Sequence, residues 1–160
     1  VHNVLSRMDY AGISFLISGT SFPPLIYGFG CQGNFAYVTL SFFTVLAIAT
    51  FLVCLLPYFN TPEFRALRTG MFVVQGFLCL LPTFYLYFSE SNVDLSRAYP
   101  WYVGSPITSL IGAMIYIFRV PERFWPGKFD LIGSSHQIWH CFVVMLAFLH
   151  FVGALEHHYA

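Results

Sequence analysis

Five stretches of the chain are apolar almost without interruption, at about 11–30, 36–56, 70–88, 100–118 and 136–154. Each is close to the roughly 20 residues that a helix needs to cross about 30 Å of hydrocarbon. Within them apolar positions do not alternate with polar ones, as the strands of a membrane barrel would require. Helices, which satisfy their backbone hydrogen bonds internally, are therefore predicted. Polar residues fall in the connections, and the longest of these, about 119–135, leaves no room for a separate catalytic domain. The pattern predicts an all-α fold: a polytopic membrane helix bundle with five transmembrane helices, forming a single membrane domain over 1–160.

Composition strengthens this reading. The chain is 58% hydrophobic and 9% charged, where a soluble domain carries about 25% charged residues. Its seven basic and seven acidic residues cancel, so nothing suggests nucleic acid as a partner. Basic residues are unevenly placed. Arg7 precedes the first segment, Arg65 and Arg68 separate the second from the third, and Arg119, Arg123 and Lys128 separate the fourth from the fifth. Consecutive spans alternate in direction, so these three groups share one side, while Arg97, offset by Glu90 and Asp94, lies on the other. Basic connections stay cytosolic; an integral, multi-pass protein with a non-cytosolic C-terminus is expected. The chain starts at Val1 without a signal-peptide pattern, and is expected to be a fragment.

Candidate chemistry sits at the start of the last segment, where His136 and His140 are four residues apart. On a helix, positions i and i+4 lie about 40° apart around the axis and roughly 6 Å apart along it, so both imidazoles can reach one ion. Ionisable groups inside membrane segments are costly and by default functional. Asp9, just before the first segment, falls at the same depth on the same side. A carboxylate at a helix end could equally snorkel to water. The other histidines read differently: His150 as an interfacial or packing residue, His157 and His158 in a polar tail, and His2 as a solvated loop residue. Cys31, Cys54, Cys79 and Cys141 show no paired spacing, and the three inside apolar segments, Cys54, Cys79 and Cys141, act as small hydrophobes. Pro23, Pro24, Pro82 and Pro106 are expected to kink their helices, and Gly12, Gly19, Gly76 and Gly112 fit close helix packing.

Three motifs are more specific. Met8-Asp9-Tyr10-Ala11-Gly12-Ile13, then Arg119-Val120-Pro121-Glu122-Arg123-Phe124-Trp125-Pro126-Gly127-Lys128-Phe129-Asp130, then Ser135-His136-Gln137-Ile138-Trp139-His140 resemble the progestin and adipoQ receptor family. Within it the adiponectin-receptor branch, with its fungal relatives, is more similar than the bacterial haemolysin-III-like proteins. The resemblance covers essentially the whole chain. It implies a seven-helix fold of which the five segments are the third to seventh helices, the first two being absent, with a cytosolic N-terminus and an extracellular C-terminus.

The resemblance also implies a zinc ion. His136 and His140 match two of the family's three zinc histidines; the third lies on the second helix, upstream of the aspartate motif, and His2 is too close to Asp9 to be that residue. Asp9 matches the family's aspartate, which acts through a zinc-bound water. With part of the ligand set, the chain by itself is expected to bind zinc weakly or not at all. The implied function is a zinc-containing membrane receptor with lipid-amide hydrolase activity on a ceramide-like substrate, Asp9 being catalytic. The implied partners are the bilayer, a lipid substrate or ligand, and an extracellular protein or steroid ligand. A non-enzymatic receptor or regulator of lipid and zinc homeostasis, in which zinc ties helices together, is the alternative. A transporter is disfavoured because no further charged residues line the segments. The Pro121–Asp130 run reads first as a structural element that aims His136 inward.

Overall fold

A computed structural model describes residues 2–29, 33–78, 80–88, 96–129 and 131–159 of the 160. The described residues form helices α1 (His2–Phe29), α2 (Asn34–Leu55), α3 (Arg65–Leu78), α4 (Leu80–Phe88), α5 (Tyr99–Phe118) and α6 (Ser135–His158), with two short 3-10 turns, Pro57–Asn60 and Pro62–Phe64, before α3. No strand occurs among them. The helices fall on the five predicted segments, α3 and α4 together on the third. Cys31, Cys79, Glu90, Asp94 and Asp130 lie outside the described residues.

Among the described residues, α2, α5 and α6 are long and apolar enough to cross a membrane. α1 is long enough, at 28 residues, but carries Asn3, Ser6, Arg7 and Asp9 in its first turns. Its length corrects two expectations. His2 begins a helix instead of lying in a loop, and Asp9 lies about two turns inside α1 instead of at its edge. At the other end α6 runs on through His158, so His157 and His158 belong to a helix and not to a tail. The reason is common to both cases: an apolar run marks only the part of a helix matched to hydrocarbon, whereas the i to i+4 backbone ladder continues through polar residues.

Packing places α5 and α6 side by side, with α1 across α6 on one face and α3 against α5 on another. Because lipid tails are as apolar as leucine, association rests on close van der Waals fit and interhelical hydrogen bonds. Two glycines set the α5–α6 approach. A Cβ at Gly112 would lie 2.6 Å from Phe142 Cβ, and one at Gly153 would lie 2.6 Å from the Tyr102 ring. Gly112 was expected in this role. Gly12 and Gly19, by contrast, have no atom within 4 Å of a would-be Cβ and face open space. Pro23 and Pro24 lie inside α1, and Pro106 inside α5.

Ile17, Phe72, Trp139 and Leu146 are fully buried in one apolar cluster along the first half of α6. Further along, His150 is buried between α1 and α5: its Nε2 lies 2.7 Å from Ser105 Oγ and its Nδ1 3.3 Å from Thr20 Oγ1. It is a hydrogen-bonded packing residue, not an interfacial one. At the far end Arg97 pairs with Glu156 at 3.1 Å, while Arg65 and Arg68 lie at the end that holds Asp9.

Candidate metal centre

α1 brings Asp9, and the first turns of α6 bring His136 and His140, to one point. Asp9 Oδ2 is 3.0 Å from His136 Nε2 and 3.2 Å from His140 Nε2, and the two nitrogens are 3.2 Å apart. Donors bound to one tetrahedral zinc by bonds of about 2.0–2.1 Å lie roughly 3.3 Å apart, so the triangle is the right size to face a single ion. Among the described residues this is the one group of three or more such side chains that could hold a metal. Two imidazoles and a carboxylate are also the donor set of many catalytic zinc sites. All three side chains are a little over one-third exposed, leaving one side of the triangle open for a further ligand.

The His136 imidazole is held by packing that sequence reasoning did not anticipate. Tyr10 stacks on His136 at 5.5 Å between centroids and 23° between planes, and Tyr116 lies on the ring at 5.5 Å. Trp139, fully buried, stacks beside Tyr116 at 6.3 Å. The tyrosine hydroxyls meet 2.7 Å apart inside the bundle. Arg68 covers the Tyr10 ring at 4.6 Å and Arg65 covers Tyr116 at 4.9 Å, both favourable cation–π placements. Arg68 is itself buried and donates to the carbonyls of Phe59 and Thr61. A signal for this lay in the sequence: Arg68, Phe72 and Gln75 follow an i, i+4, i+7 stripe, and all three are buried on α3.

The α6 start is fixed by the preceding connection. Ser134 caps the helix, accepting from Gln137 N–H, while Gln137 accepts from Gly133 N–H and donates to the Leu131 carbonyl. Glu122 Oε1 accepts from both the backbone N–H and the hydroxyl of Ser135, the residue before His136. Burial pushes the Glu122 carboxyl up, but its backbone hydrogen bonds, both Ser135 donors and the nearby Arg119 outweigh that and hold it below the usual carboxylate range. The structural role expected for this connection is the one its contacts describe.

Beside the triangle a cleft of about 240 Å³ opens between α1 and α6, lined by Asp9, Gly12, Leu16, His140, Val143 and Val144 among others. It is apolar apart from the two site residues. His150 and His157 stand apart from the centre: His150 packs against Ser105, and the His157 ring lies against Tyr27 and Tyr102.

The sequence model of a haemolysin-III-related family matches residues 1–151. Over 158 residues the chain is 40% identical to heptahelical transmembrane protein 4 of Arabidopsis thaliana, which covers 97% of this chain and 40% of that protein. It is 38% identical over 155 residues to the adiponectin receptor protein of Drosophila melanogaster, covering 96% and 35% of the two chains. Identity to progestin and adipoQ receptor-like protein 1 of Caenorhabditis elegans is 34% over 158 residues, 98% and 36% of the two chains. The chain thus spans between 35% and 40% of the length of these relatives. Matched along nearly all of its length, it belongs to the haemolysin-III-related family of integral, multi-pass membrane proteins that includes the heptahelical proteins and adiponectin receptors.

Proposed function

We propose that the chain carries the metal-binding and proton-transferring part of a zinc-dependent lipid-amide hydrolase within a seven-helix membrane receptor, with a ceramide-like substrate. The observation that carries this reading is the convergence of Asp9 Oδ2 with His136 Nε2 and His140 Nε2 at the mouth of an apolar cleft. His136 and His140 would hold zinc through Nε2, and the family resemblance adds a third imidazole from a helix upstream of the aspartate motif. Zinc, when bound, supplies a Lewis acid and a water acidified toward neutral pH.

The residues of this chain do the rest. With the ion bound, Asp9 would accept the proton given up by a water at the centre and pass it to the amide nitrogen as that nitrogen leaves. Amide and water become a free fatty acid and a sphingoid base. Leu16, Val143 and Val144 give an acyl chain an apolar wall beside Asp9 and His140. Tyr10 and Tyr116 keep the His136 ring from turning away. The clustering of basic residues at this end favours a cytosolic site and a non-cytosolic C-terminus.

The test uses the purified full-length protein, with zinc content and ceramide cleavage measured on the same sample. Asp9→Ala should retain zinc and lose about a hundredfold or more in turnover, the range expected for a proton-transfer group. His136→Ala and His140→Ala should lose both zinc and turnover. If wild type and Asp9→Ala turn over ceramide equally, the hydrolytic mechanism fails, and a metal that only ties helices together takes its place.

A further inference from the structure

The connection between α5 and α6 borders an open pocket of about 580 Å³, distinct from the metal centre and lined by Phe118, Arg119, Glu122, Arg123 and Pro126 among others. α5 ends in a Schellman turn: Val120 N–H bonds to the Ile115 carbonyl at 3.1 Å and Arg119 N–H to that of Tyr116 at 3.3 Å. Arg119 takes the left-handed position at φ 53° and ψ 51°, a conformation that costs a side-chain-bearing residue free energy and usually falls to glycine. Arg123 N–H then bonds back to the Arg119 carbonyl at 2.8 Å, and both arginines line the same pocket.

Neither arginine makes a salt bridge among the described residues, although Arg119 lies near enough to Glu122 to help hold its carboxyl down. Glu122 is the one acidic residue in the lining, and its Oε1 is already engaged by both Ser135 donors. The lining therefore carries a surplus positive charge, with Lys128 next to the lining residue Gly127.

The flanks are apolar and outward. Phe124, Trp125, Leu131 and Ile132 are 64%, 55%, 87% and 82% exposed. Four large apolar side chains beside a net positive lining are unfavourable in bulk water but suit a bilayer interface, where aromatic rings sit at headgroup level and basic side chains reach phosphate. We propose that the α5–α6 connection lies in the headgroup layer and that Arg119 and Arg123 together bind the phosphate of an anionic phospholipid. A guanidinium fork matches two phosphate oxygens at once, which a solvated point charge does not.

Native mass spectrometry of the full-length protein released from micelles tests this, with dioleoyl phosphatidic acid, dioleoyl phosphatidylcholine and inorganic phosphate as separate probes. Phosphatidic acid should be retained about tenfold more strongly than phosphatidylcholine, as expected for two cations at an anionic surface. The double variant Arg119→Gln/Arg123→Gln should bring the two lipids level. Arg97→Gln at the opposite end should preserve the preference, whereas Arg123→Lys, which keeps the charge but loses the fork, should retain only part of it. If the double variant does not fold, Arg123→Gln alone is read, with a partial loss expected. Equal retention of the two lipids by wild type, or an unchanged preference in the glutamine variants, overturns the proposal. Inorganic phosphate displacing phosphatidic acid at matching concentration would assign the pocket to a free anion and overturn the lipid assignment.

Discussion

Glu122 Oε1 lies 2.7 Å from the backbone nitrogen and 2.9 Å from the hydroxyl of Ser135, accepting both hydrogens at the first residue of α6. A carboxylate at a helix N-terminus satisfies donors that have no partner within the helix and faces the positive end of its dipole. Because His136 follows directly, the contact also fixes where the first imidazole of the candidate metal centre begins.

Glu122→Gln should therefore weaken the α6 start in a pH-dependent way. The carboxyl is held below the usual carboxylate range in the folded protein, so its contribution is full above the unfolded value and is lost as pH falls through the lower folded value. Amide hydrogen exchange at residues 135–138, followed from neutral into acidic solution, should show protection falling at acid pH in wild type. In Glu122→Gln it should be lower at neutral pH, by roughly 1 kcal/mol of opening free energy given partial exposure, and nearly flat with pH.

The pair Tyr10 and Tyr116 offers a cleaner energetic test, because their hydroxyls meet at 2.7 Å inside the bundle. Removing one hydroxyl strands the other in a buried place, at a cost of about 1–3 kcal/mol, whereas removing both leaves nothing unsatisfied. Thermal unfolding in detergent should show Tyr10→Phe and Tyr116→Phe each destabilising, and the double variant less destabilised than their sum. Strict additivity would mean that the hydroxyls are not coupled.

Gly112 should not tolerate a larger residue. A Cβ there falls 2.6 Å from Phe142 Cβ and 2.9 Å from the Trp139 ring, on the helix pair that carries both histidines. Gly112→Ala is expected to cost about 1–3 kcal/mol through overpacking, and to lower metal retention as well, since Trp139 backs the Tyr116 ring that lies on His136. At Gly12, where nothing lies within 4 Å, the same change should leave thermal stability of the chain nearly unaltered.

Much of the site was legible before any coordinates. The i, i+4 spacing of His136 and His140 put two imidazoles on one helix face, and the alternation of spans put Asp9 at their depth. Helix ends were less legible: α1 and α6 run past their apolar stretches, so Asp9, expected at an edge, sits two turns inside. The clamp around His136 was hidden because Tyr10, Tyr116, Arg65 and Arg68 come from three helices far apart in sequence, each unremarkable by itself. Gly153, which admits the Tyr102 ring, was missed for the same reason, while Gly12 and Gly19, read as packing glycines, proved to face open space.

Residue order is enough to read off the class of the protein, the place of its apolar helices, the shared side of the basic residues and the histidine pair. These follow from hydrocarbon thickness, helix periodicity and the cost of charge in lipid, all of which act on local stretches of chain. It takes the packed bundle to bring Asp9 Oδ2 within 3.2 Å of both imidazoles, to set Tyr10 and Tyr116 against His136, and to anchor Ser135 on Glu122. Those relationships depend on how helices rotate and translate against one another. That arrangement is set by van der Waals fit and a few interhelical hydrogen bonds between distant residues, which no local pattern encodes.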